Sequence, residues 1–141
     1  MMAGFAAMDI AASGSSAHRL MLDVVADNIA NSGTVRPADE DPFRQQSVLV
    51  EGVGRHHHRT FSVEDAGVRN VRIEQADGEP AQVHDPDHPF ADADGNVTQP
   101  LVDVSRQMAD LMVAQRGYQA NLRVIAEARE AYESALQLAP R

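Results

Sequence analysis

Apolar positions recur with helical spacing at both ends of the chain and thin out between them. Over Asp9–Ser32 one seam runs Ile10, Gly14, Ala17, Met21, Val24, Asn28. A second runs Ala11, Ser15, His18, Leu22, Val25, Ile29. Both advance in alternating four- and three-residue steps. The first half of each seam is small and the second half large. A stripe that wide suits a helix buried against more than one neighbour. Ser13, Gly14, Ser15 and Ser16 weaken the helix locally, glycine by about 1 kcal/mol relative to alanine. They fit a bend and a close helix approach equally well. Gly33 follows the last periodic residues and predicts a helix end of the C′ glycine type.

At the other end the stripe runs from Leu101 through Val104, Met108, Leu111, Gln115, Tyr118, Leu122 and Ile125, then slips one residue to Ala128, Tyr132 and Ala135. A second face carries Val113, Gly117, Ala120, Val124, Ala131 and Leu138. Its small residues would let a partner helix come close. Pro100 is expected near the first turn, where its missing N–H costs little. Such a helix is roughly 55 Å long. The middle of the chain cannot shield all of it, so the two ends should pair and still expose apolar surface.

The middle is acidic and rich in proline. Val35–Pro42 reads as a loop, because Arg36-Pro37 and Asp41-Pro42 bias the residue before each proline away from helix. Phe43–Glu51, ending in Val48-Leu49-Val50, and Gly67–Gln75, with Val71 and Ile73 on one face, are strand candidates. Asp77-Gly78 is a turn signal, and Pro80–Val83 would start a short returning strand. Gly52–Glu64 reads as a loop. No strand is long enough for an independent sandwich.

The chain has 141 residues, enough for one domain or one elongated unit. It has no tryptophan and few aromatic residues, so its core must be aliphatic. It has no cysteine, which removes disulfides and thiolate metal sites. The formal net charge is −9 and every basic side chain is arginine. An acidic chain without a basic patch is a poor ligand for nucleic acid or anionic membranes. Met1–Ala12 has no basic start and is interrupted by Asp9, so it does not read as a cleavable signal peptide. Export would then use another route.

Candidate chemistry is sparse. His56, His57 and His58 are adjacent, and adjacent residues do not converge on a metal without a framework. His84-Asp85-Pro86-Asp87-His88-Pro89 reads as an extended, proline-stiffened strap. Asp92-Ala93-Asp94-Gly95-Asn96 begins like a calcium loop but lacks the downstream bidentate glutamate; Asp94-Gly95 is more simply a tight turn. Asn96-Val97-Thr98 is a formal sequon of a very common kind. There is no Gly-x-Ser-x-Gly elbow, phosphate loop or dinucleotide fingerprint. An enzyme, a small-molecule substrate and a cofactor all lack positive support.

Three segments resemble the flagellar axial family of rod and hook proteins. Asp9–Gly14 is followed by Asp23–Thr34, whose Asn28-Ile29-Ala30-Asn31-x-x-Thr34 core is similar to the family's N-terminal signature. Asp85–Val97, with Asp85, Pro86, His88 and Pro89, is similar to the strap preceding the C-terminal helix in proximal-rod members, and it is the most discriminating of the three. Met108–Asn121 resembles the family's Met-x-x-Leu-x-x-x-x-Arg-x-Tyr-x-x-Asn helix through Arg116, Tyr118 and Asn121. Val35–Glu79 matches no family pattern.

The resemblance implies a structural subunit of the basal-body rod, the periplasm-crossing drive shaft of a motile bacterium. It implies copies of itself and other rod proteins as partners, with the flagellar type III export apparatus as its route. The expected fold is mainly α with a small β part. Terminal helices in 1–34 and 98–141 pair as an antiparallel coiled coil, and 35–97 is a short, irregular β-containing insertion. Leu22, Val25, Ile29, Leu111, Tyr118, Leu122 and Ile125 are expected to form the packed seam. Asn28, Asn31 and Thr34 are expected to fix the turn leaving the first helix. Two other flagellar and non-flagellar alternatives stand beside this: another axial protein, and a coiled-coil adaptor. A small metal-binding protein using His56–His58, His84 and His88 is a third.

Overall fold

The computed structural model describes residues 2–37, 40–53 and 66–138. In chain order its elements are α1 (Met2–Asn31), β1 (Gln46–Val53), β2 (Gly67–Gln75), β3 (Ala81–His84), β4 (Asn96–Gln99) and α2 (Val104–Leu138). The protein is mainly helical, with small two-stranded sheets. Among the described residues no helix is long and apolar enough to cross a membrane.

α1 begins before the periodic seams do, in an alanine- and methionine-rich stretch of strong helix formers. It continues through the serine-glycine stretch without a break. Ser13, Ser15 and Ser16 return their hydroxyls to the carbonyls of Ile10, Ala11 and Ala12 at 2.7, 2.8 and 3.1 Å. Those bonds satisfy the side chains inside the helix instead of pulling the backbone out of it. The expected glycine end is not found, because Gly33 does not adopt a positive φ. Side chains close the last turn. Ser32 Oγ donates to Ile29 O at 2.8 Å, and Asn31 Nδ2 donates to Asp27 O at 2.9 Å.

α2 starts later than expected. Asp103 caps it: its Oδ1 accepts from Arg106 N at 3.1 Å, and its carbonyl accepts the first helical bond, from Gln107 N. Pro100 lies upstream, its carbonyl turned back to Val102 N. The cap overrides the proline because an Asp side chain satisfies an orphan N–H, whereas proline only tolerates the position.

β1 pairs with β2, and β2 has the expected bounds. Ala81–His84 does not return along β2. It pairs antiparallel with β4 in the register Ala81↔Gln99 to His84↔Asn96. The sequence shows only a turn and a sequon at β4, since four residues with one deeply buried apolar side chain, Val97, leave no periodic signal. Arg36 extends this sheet through a bridge to Thr98.

The chain divides into two compact units. The first comprises Met1–Leu20, Leu49–Arg72 and Val113–Arg141; the second comprises Met21–Val48 and Ile73–Met112. In the first, the buried apolar residues among those described are the alanines Ala11, Ala17 and Ala114. In the second they are Val24, Val25 and Val97, accompanied by buried Asn28 and Gln107. These buried side chains are small and aliphatic. Alanine side chains also let helix backbones approach closely.

Candidate assembly surface

In the second unit the most deeply placed polar side chain is Asn28, 1% exposed. Its Nδ2 donates to Gln46 O at 2.7 Å and to Gln107 Oε1 at 2.8 Å. Its Oδ1 accepts from Gln46 N at 2.8 Å. One side chain thus satisfies both backbone groups at the start of β1 and joins α1 to α2. The expected role for Asn28 at the helix exit gives way to this one, because the side chain points inward, three residues before the end. Asn31 does serve the exit, and Thr34 contributes its backbone N–H, bonded to Asn31 O at 3.1 Å.

In the first unit, contacts fall in opposite order along the two helices. Phe5 meets Tyr132 edge to face, ring centroids 5.3 Å apart, and His18 meets Asn121. His18 Nδ1 lies 2.8 Å from Gly14 O, so that nitrogen carries its proton and donates. The Asn121 amide stands 3.3 Å from the same nitrogen. On α2, Gly117 faces the His18 imidazole so closely that an added Cβ would collide with it. On α1, an added Cβ at Gly14 would come within 2.8 Å of Asn121 Nδ2. Ser13 ties α1 to the sheet by accepting from Val68 N at 3.1 Å, beside Gly67 at φ 132°. α1 thus meets strands as well as α2, through Ser13 here and through the seam residue Asn28 in the second unit.

The covered positions of α2 are Gln107, Leu111, Ala114, Tyr118, Asn121, Ile125, Ala128 and Tyr132, in alternating four- and three-residue steps, with Gly117 beside them. The sequence-based stripe shares Leu111, Tyr118, Ile125, Ala128 and Tyr132 with it. It misses Gln107, Ala114 and Asn121 and substitutes Val104, Met108, Gln115 and Leu122, which are exposed. Ranking positions by hydrophobicity draws the stripe toward large apolar residues, whereas the covered face alternates large side chains with small and polar ones. Leu22, Val25 and Ile29 of α1 are covered, Val25 most fully.

Most of the exposed apolar side chains of α2 form two flanks. Val104, Met108 and Met112 stand at successive four-residue steps, with Leu122 on the same flank further along. Val113, Ala120, Val124, Ala131 and Leu138 form the other, Val113 being 68% exposed. Of the remaining motif residues, Ala30, Asp85, Pro86, Pro89 and Arg116 are exposed and His88 is half-buried.

The strap Asp85–Val97 is not extended. Asp85 N bonds Gly95 O at 2.9 Å, and Asp92 N bonds Asn96 O at 2.9 Å. Asp92 Oδ1 accepts from Asp94 N and Asn96 N at 2.9 and 2.8 Å. Gly95, at φ 76°, is buried against Pro86 and His84. The prolines thus bound tight turns that close the β3–β4 hairpin. His84 Nδ1 donates to Asn96 Oδ1 at 3.3 Å, and no group of ligands suited to a metal is present among the described residues. His56–His58 lie outside the described residues.

Residues 8–37 match the family model described as flagella basal body rod protein, and residues 93–138 match that described as flagellar basal body rod FlgEFG protein C-terminal. The FlgC basal-body rod protein of Borreliella burgdorferi is 33% identical, with 95% of this chain and 96% of that one aligned. The chain belongs to the FlgC family of flagellar basal-body rod proteins. FlgC of Agrobacterium fabrum is 34% identical over 94% of this chain and 93% of its own length. FlgC of Salmonella typhimurium is 34% identical over 83% and 84%. As a FlgC-family member the protein is a structural subunit of the rod and not an enzyme. The family-model matches fall on α1 with its exit and on Ala93–Leu138, which holds β4 and α2.

Proposed function

We propose that this FlgC-family subunit polymerises through its terminal helices to form part of the periplasm-spanning drive shaft for swimming. Residues 1–34 and 98–141 are the assembling part, their helices paired as an antiparallel coiled coil, and 35–97 is an insertion carried on it. Copies of the chain and other rod proteins cover what the subunit leaves exposed, and the flagellar type III apparatus delivers it.

One observation carries this reading: two apolar flanks remain outside the covered seam of α2, with Met108, Met112 and Leu122 on one and Val113 and Val124 on the other. Apolar side chains repeated at helical spacing on an open face favour burial by another helix, each large one contributing about 1.5–3 kcal/mol when covered. A heterologous contact that does not close yields a helical tube.

Leu122→Asp and Tyr118→Ala test it from the two sides. The first charges an exposed flank, and the second opens a cavity in the covered seam. Both are expected to abolish rods and swimming in a strain carrying only the variant. Wild-type swimming by both strains would refute the reading.

A further inference from the structure

Gly14 and His18 stand four residues apart on α1; Gly117 and Asn121 stand four apart on α2. Each glycine faces the other helix's polar side chain: Gly14 faces Asn121, and Gly117 faces His18. The arrangement is reciprocal, a knob and a hole on each helix. The two glycines have ordinary helical backbone, so no conformational demand explains them. Glycine in a helix interior is otherwise a cost relative to alanine. What explains them is space, because a Cβ at either position would strike the opposing side chain.

We infer that these four residues form a clasp that selects the register in which α1 and α2 pair, and with it the subunit conformation that enters the rod. The inference rests on the helix-pairing reading above. Neighbouring seam positions are largely alanine and aliphatic, and such surfaces slide past one another at little cost. A displaced register would set His18 and Asn121 against Cβ-bearing residues in place of the two glycines that now leave them room. Buried polar residues in helix seams fix register in this way at some expense of stability. His18 is suited to the task because its Nδ1–H is already held by Gly14 O at 2.8 Å, which aims the ring across the seam.

The test is a suppression matrix in the full-length protein, read as swimming of a strain carrying only the variant. Gly117→Ala and Gly14→Ala are each expected to cut swimming by about tenfold, the equivalent of one decade in pairing equilibrium. His18→Ala is expected to relieve Gly117→Ala, and Asn121→Ala to relieve Gly14→Ala, each double variant swimming better than its glycine single. The crossed pairs, Gly117→Ala with Asn121→Ala and Gly14→Ala with His18→Ala, are expected to bring no relief. Circular dichroism of each purified variant separates loss of helix from loss of register.

Glycine singles that swim like wild type would overturn the clasp, since a merely tolerated helix glycine gains from alanine. Matched doubles no better than the singles, or crossed doubles equally relieved, would overturn it as well. Leu122→Asp is run alongside. If it abolishes rods while suppression is absent or unspecific, the clasp fails and assembly through the flanks stands.

Discussion

Asn28 organises the second unit through three hydrogen bonds made by one buried amide. Asn28→Ala leaves the backbone N–H and C=O of Gln46 and the amide of Gln107 without that partner. Each unsatisfied buried group costs about 1–3 kcal/mol, so a loss of ~3 kcal/mol is expected in urea unfolding of the full chain. A loss below about 1 kcal/mol would mean water replaces the amide at no expense. Gly95 is a second test. Its φ of 76° and the 3.0 Å approach of Pro86 Cβ to a built Cβ make Gly95→Ala destabilising, by about 1–3 kcal/mol. Its signature would be loss of amide protection at the backbone groups of Asp85 and Asp92, with the helices retained. Family resemblance marked Asn28 in the sequence, but its role was not legible: an inward-facing asparagine in an apolar seam carries no sign of whether it meets a helix exit or a distant strand.

The elements differ in how plainly they are written. β2 follows its alternation from Gly67 to Gln75, and α1 and α2 follow their apolar spacing through most of their lengths. Their ends do not. α1 closes through Ser32 and Asn31, and α2 opens on Asp103, because side-chain caps compete locally with glycine and proline signals and depend on geometry that spacing does not report. Asp103→Ala is expected to cost ~1 kcal/mol and to fray the first turn of α2. Carbon chemical shifts of Val104–Gln107 check this, and unchanged helical shifts would contradict it. β4 and the folded strap were hidden for another reason: their order comes from Asp92, Gly95 and cross-strand bonds, none of which needs a hydrophobic repeat.

For the molecule as a whole, the central physical fact is a helix with one covered seam and apolar flanks left exposed among the described residues. The sequence made the excess surface visible. It could not divide it, because Gln107, Ala114 and Asn121 are polar or small and yet covered, while Met108 and Leu122 are large and yet exposed. Family membership makes the rod the setting in which those flanks would be buried. Since the chain contains no cysteine, a single introduced thiol reports on one position alone. The most direct measurement places cysteine at Met108, Val113 or Leu122, one at a time, and compares maleimide labelling in the purified subunit and in basal bodies isolated from swimming cells. Rapid labelling of the subunit with strong protection in the basal body is the predicted result; equal labelling of all three positions in both would contradict burial of the flanks by neighbouring rod subunits.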